Sequence, residues 1–149
     1  MKILEVGLIG NGIELIRVCA DNLDEFCKSE LRAAFLHAII MYNDSYSALE
    51  ISYFSMKKTV VMVRRFKIKN EDLIIYTLLK PDRIGLKDLF ADKKSSLHKD
   101  FEPKFSNLYN VYLQKIGERI TANVDQYKTL ENDINMLFFM KKRKNWIFN

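Results

Sequence analysis

Cysteine, histidine and proline occur twice each in this chain of 149 residues, and glycine five times. Cys19 and Cys27 are too few for a disulfide framework, and no C-x-x-C or Cys/His pair at metal spacing accompanies them. Both are expected to be reduced and buried. His37 and His98 assemble no site between them: His37 falls in a helical pattern, and His98, in Ser96-Leu-His-Lys-Asp-Phe-Glu102, is expected in a hydrated loop. No apolar run reaches the roughly eighteen residues of a membrane span, and the N-terminus lacks a secretory pattern. The expectation is a soluble, cytoplasmic protein, at most peripheral at a membrane surface. With no repeat, low-complexity segment or long linker, residues 1–149 are read as one domain whose last stretch, 141–149, is a basic and aromatic tail.

Three of the scarce glycines crowd into Gly7-Leu-Ile-Gly-Asn-Gly-Ile13. A dinucleotide fingerprint would need a third glycine where Leu15 stands, and a phosphate loop would need Gly-Lys-Ser/Thr, which is absent. A phosphate loop must also open a helix, whereas Ile13 to Ala20, "IELIRVCA", has strand composition. Asn11-Gly12 is instead a hairpin signal, because both residues tolerate the positive φ of a type I′ turn. The reading is two strands, 3–9 and 13–20, joined by that turn.

From Asp21 the period changes. Cys27, Leu31, Ala34, Phe35, Ala38, Met41 and Tyr42 recur at three and four, predicting a helix over about 24–44, capped by Asp21, Asn22 and Asp24. Three strands follow, 49–56, 59–66 and 73–79, spaced closely enough for a meander; the second and third are apolar on both faces. Beyond Pro81 the pattern is helical. A short helix is expected from 86 to about 94 and loosens at Ser95 and Ser96. A second starts near Asp100 with Pro103 in its first turn, and a last one carries Val124, Tyr127, Leu130, Ile134, Leu137 and Phe138.

This order of elements, with its early hairpin and two-sided strands, resembles the longin, or SNARE-like, domain. The resemblance spans nearly the whole chain and contains no diagnostic motif. It implies an α+β fold: a five-stranded mainly antiparallel sheet with helices on both faces, in the order β-β-α-β-β-β-α-α. The related roadblock fold begins with an extra helix, for which nothing before Ile3 leaves room. Longin domains are mostly binding modules of SNAREs, adaptor and tethering complexes, and regulators of small GTPases. The chain carries no long heptad region or membrane anchor, which argues for a regulatory or scaffolding subunit.

Chemistry-bearing residues are sparse. Asp21, Asp24 and Glu25 fit a helix start, and Asp88 and Asp92, four apart, fit a solvated face better than a cation site. No serine sits in a nucleophile elbow, so no catalytic residue, metal or cofactor is expected. Charge is more informative. Residues 1–50 carry 4 basic and 8 acidic side chains, 51–100 carry 12 and 6, and 101–149 carry 8 and 5. The basic excess begins at Lys57. Alternation sends Arg64 and Arg65 to opposite faces, near the sheet end. In the tail, Lys141, Lys142, Arg143 and Lys144 precede Trp146 and Phe148; they either end a helix favourably against its dipole or contact an anionic surface.

Three functions compete. The first is a non-enzymatic module that dimerises with an identical or longin-like subunit and binds a small GTPase or trafficking complex. It would use an edge strand with Glu50, Ile51, Tyr53 and Phe54 and the turn lysines Lys57 and Lys58. Peripheral contact with an anionic membrane, through Arg64, Arg65 and the tail, is compatible with it. The second is a nucleic-acid-binding module using residues 57–69 and the tail. The third, a small enzyme, has the least in its favour.

Overall fold

The first two strands fold back on each other where the glycines cluster. In the computed structural model, which describes residues 2–20, 52–56, 59–80 and 94–140, β1 (Lys2–Gly10) and β2 (Ile13–Cys19) pair antiparallel with Gly10 opposite Ile13. Asn11 and Gly12 both have positive φ, 52° and 76°. That is the type I′ geometry whose twist matches the flanking strands. Gly10-Asn11-Gly12 is therefore a hairpin bend.

Three more strands follow: β3 (Ser52–Met56), β4 (Thr59–Ile68) and β5 (Glu71–Lys80). All pairings are antiparallel and the sheet order is β2-β1-β5-β4-β3, so the last strand in sequence lies at the centre. Seven consecutive residues of β5, Leu73 to Leu79, are buried, as expected of a strand with both faces covered. Alternation divides them. Leu73, Ile75 and Leu79 join Val6, Leu8, Val60 and Met62 in one cluster; Ile74, Tyr76 and Leu78 join Leu4, Ile9, Val61 and Val63 in the other.

Helix α1 (Lys94–Lys115) lies on the first of these clusters through Phe101, Phe105, Leu108 and Tyr112, which recur at four, three and four. After a loop containing Gly117, at φ 99°, the chain returns as a 3₁₀ segment (Val124–Leu130), a four-residue helix α2 (Glu131–Ile134) and a π turn (Asn135–Phe139). Asn123 caps this run by accepting from the Asp125 amide. Tyr127, Leu130, Ile134 and Phe138 are its buried residues. In a 3₁₀ turn residues three apart eclipse, so the tight start aligns Tyr127 with Leu130, and the looser pitch beyond suits the spacings of four.

These observations correct the expected architecture. The fold is mixed α+β. Four strands, β2-β1-β5-β4, carry the described packing, with the short β3 added at the edge, and every pairing is antiparallel. The described helical segments lie against one face of the sheet, and the helix expected on the other, 24–44, lies outside the described residues. Among the described residues two helical elements follow the sheet, and the second is a joined short helix where one regular helix was expected. Helix α1 begins at Lys94, so Ser95, Ser96 and His98 are helical, and Pro103 is its tenth residue, not in the first turn. Burial of Phe101 and Phe105 on either side of Pro103 holds the helix across the missing amide hydrogen bond. Cys19 is disulfide-bonded, which corrects its reading as a reduced thiol. The expected helices at 24–44 and 86–93, with Cys27, His37 and the acidic groups at 21–25, Asp88 and Asp92, lie outside the described residues.

Two positions test this account. A Cβ on Gly7 would meet the Tyr76 ring at 2.5 Å, so Gly7→Ala is expected to cost about 1–3 kcal/mol in urea unfolding, as overpacking does. Gly12→Ala, at φ 76°, is expected to cost about 1–2 kcal/mol by the same measurement.

Candidate functional site

A charged residue inside an apolar strand must be compensated, and the sheet holds two such groups. Glu5 is the only charge between Ile3 and Ile13 and is fully buried. Register places Gly7 opposite Tyr76, and the missing side chain at Gly7 lets the phenol lie across β1. Tyr76 Oη then donates to Glu5 Oε2 at 2.6 Å, while Thr77 Oγ1 donates to the Glu5 carbonyl at 3.0 Å. Cys19 Sγ lies 3.7 Å from Glu5 Oε1; a disulfide sulfur carries no proton, so this is a contact and not a donated bond. The sequence signal was present in the lone Glu of "ILEVGLI" with a glycine two residues on. The partners were not legible, because they come from β5 and β2.

The second group is Arg64, on the other face, in mid-strand opposite Ile75. Its side chain is only 11% exposed; the guanidinium donates to Glu102 Oε1 and, at 3.0 Å, to Ser106 Oγ, and lies 4.4 Å from the Phe66 ring centroid. Burial pulls its pKa below the ordinary arginine value. Glu102, Ser106 and Tyr109 follow one face of α1 at spacings of four and three. Tyr109 stacks on Phe66 at 4.3 Å and donates to the Lys67 carbonyl at 3.0 Å. Arg64 Nη1, Glu102 Oε1 and Ser106 Oγ thus bond one another along the seam between β4 and α1. Chemically the set is a clamp, although Arg64 Nε and Glu102 Oε2 are buried beside it without a hydrogen-bond partner among the described residues.

Arg65 faces the opposite side, with Nε 3.9 Å from Asp72 Oδ1, and Lys67 Nζ is 2.7 Å from the same oxygen. The arginines therefore do lie on opposite faces. The expectation that they sit near the sheet end is corrected for Arg64, whose partners draw it into the sheet–helix seam. Contact with an external anion would require Arg64 to leave Glu102 and Arg65 to leave the neighbourhood of Asp72.

At the far end of α1 two tyrosines hold the loop. Tyr112 Oη donates to the Arg119 carbonyl at 2.6 Å, and Tyr127 Oη accepts from the Thr121 amide at 2.8 Å. Their rings stack at 5.9 Å. Burial first, then the neighbouring Tyr127 hydroxyl, pushes the Tyr112 phenol far above its usual pKa and keeps it a neutral donor. Ile120 of this loop would touch a Cβ on Gly10, so the loop rests on the hairpin end of the sheet.

Of the expected partner-binding residues, Tyr53 and Phe54 lie in β3, opposite Met62 and Val61. The strand is at the sheet edge, pairing with β4 alone among the described residues. Glu50, Ile51, Lys57 and Lys58 lie outside the described residues, as do Lys141, Lys142, Arg143, Lys144 and Trp146. Among the described residues no group of three or more His, Cys, Asp or Glu could hold a metal ion. No described helix is long and apolar enough to cross a membrane.

With this geometry in view, the chain was compared with known proteins: no family model matches it, and neither does any curated protein or solved structure.

The clamp can be tested by magnitude. Glu102→Ala leaves a largely buried guanidinium without its carboxylate and is expected to cost about 2–4 kcal/mol in chemical unfolding. Lys115 and Asp133 form a more exposed pair at 2.6 Å, and Lys115→Ala is expected to cost about 1 kcal/mol or less by the same assay.

Proposed function

We propose that this chain is a non-enzymatic protein-interaction module that works by pairing through β3. The observation that carries this reading is the edge position of the strand: its backbone bonds to β4 on one side and has no strand neighbour on the other among the described residues. An edge strand offers a row of amide and carbonyl groups that another strand can complete. A five-residue strand gives a short ladder, so affinity depends also on side chains beside it. Tyr53 and Phe54, neighbours in the sequence of β3, are of the aromatic type that is rich in contact area.

A second copy of the chain is the simplest partner, since two identical edges can meet about a two-fold axis. The resemblance in element order adds a related subunit, a small GTPase or a trafficking complex as partner classes. The clamp at Arg64 and the enclosed Glu5 fit a binding role, since Arg64 Nη1, Glu102 Oε1 and Glu5 Oε2 are engaged by protein groups.

Sedimentation velocity over a wide concentration range tests the pairing. The wild-type chain is expected to self-associate, and Ser52→Lys with Ser55→Lys, which put charge on the open strand, are expected to return it to monomer with an unchanged circular dichroism melt. A wild-type monomer at every concentration, or a dimer indifferent to both lysines, would overturn the reading.

A further inference from the structure

Strand register and helix packing bring exposed lysines and exposed methionines to one end of the described structure. Lys2 pairs with Lys80 where β1 begins and β5 ends, and both are exposed. Helix α1 runs along β4 from Glu102 beside Arg64 to Tyr109 beside Phe66, so its first turns lie at the end where β4 starts. Val60 there pairs with Leu79, next to Lys80. Exposed Lys99 belongs to those turns. The C-terminal run returns to the same end: Phe138 is 6.4 Å from Phe101. Met136 and Met140, flanking Phe138, are 66% and 61% exposed.

Lys2, Lys80 and Lys99 are exposed and have no ion-pair partner among the described residues. Several cations elsewhere are paired: Arg64 with Glu102, Lys67 with Asp72, Lys115 with Asp133.

We propose that this end of the molecule, with Met136 and Met140 beside Lys2, Lys80 and Lys99, docks onto the surface of an anionic phospholipid membrane. The chemistry is complementary. Lysines are drawn to anionic headgroups, each contributing roughly a fivefold gain in binding, and exposed methionines enter the headgroup boundary where they leave water. Nucleic acid would take the same cations but calls for exposed aromatic faces on which bases stack. Among the described aromatics at this end, Phe101 and Phe138 are buried and Phe139 is partly buried against the core. The inference does not rest on pairing through β3.

Co-sedimentation with phosphatidylcholine vesicles, with and without phosphatidylserine, tests it on the full chain. Binding is expected only with phosphatidylserine and falls as salt is raised. Lys2→Gln, Lys80→Gln and Lys99→Gln together are expected to weaken it by about fivefold per lysine. Met136→Ser with Met140→Ser should weaken it further without altering the salt dependence. All five positions are exposed, and a circular dichroism melt checks that each variant folds. Ser52→Lys with Ser55→Lys is expected to bind vesicles as the wild type does, which separates this surface from the strand edge. Equal binding to vesicles without phosphatidylserine, indifference to the three lysines, or binding of a single-stranded RNA oligonucleotide in place of vesicles would overturn the proposal.

Discussion

The register between β1 and β5 is the constraint on which the other features depend. Side chains alternate along a strand, so a slip of one residue would exchange the two faces of the sheet. Gly7 opposite Tyr76 opposes such a slip, because only a residue without a side chain leaves room for the phenol that lies there. The same alignment sets the Tyr76 hydroxyl 2.6 Å from Glu5 and the Thr77 hydroxyl 3.0 Å from the Glu5 carbonyl. A slipped β5 would leave a carboxylate buried without these donors, a penalty far above the cost of a lost surface contact. Since β5 is central, the alignment also determines which side chains of β4 meet the helix.

From that alignment follows the placement of α1. Arg64 and Phe66 share a face with Met62 and Leu73, and the helix answers them with Glu102, Ser106 and Tyr109. Apolar contacts such as Phe105 and Leu108 drive the helix onto the sheet but are indifferent to small shifts along it. The guanidinium clamp and the stacked Phe66–Tyr109 pair are directional, and they set the position along the axis. Gly10 against Ile120 completes the alignment at the hairpin end, and the tyrosine-held loop turns the chain back toward Phe101.

Local signals in the sequence were read correctly where short-range chemistry decides them. Asn11-Gly12 names its own turn, and the apolar, β-branched runs at 59–66 and 73–79 mark strands that extend to 59–68 and 71–80. Reading failed where distant burial overrides local preference. Asp100 marks a helix start with Pro103 in the first turn, yet packing of Phe101 carries α1 back to Lys94. The changes of pitch between Val124 and Phe139 leave no mark in a pattern of threes and fours, which fits a regular helix equally well. Helices on both faces are implied by the resemblance and by the two-sided strands; the described helical segments lie on one face, and the helix expected over 24–44 lies outside the described residues. Of the candidate site residues, the edge position of Tyr53 and Phe54 came from element order, and the partners of Arg64 and Glu5 came from strands and helices far away in sequence.

Charge pairing links the two surfaces discussed for this chain. A protein with five more basic than acidic groups must leave some cations unmatched, and where they are left is set by strand register and helix direction. Acids on the seam and the turns, Glu102, Asp72 and Asp133, neutralise cations along the body of the molecule. Among the described residues, Lys2, Lys80 and Lys99 stand without ion-pair partners where β1 begins, β5 ends and α1 starts. Strand β3 runs antiparallel to β4 and so reaches this end with Met56, opposite Thr59. An edge that pairs laterally and an end that carries surplus charge can then operate together: a two-fold pairing through β3 with its axis normal to the sheet would send the charged ends of two copies in opposite directions, while an axis in the sheet plane along the strands would set them side by side and double the charge offered to one surface.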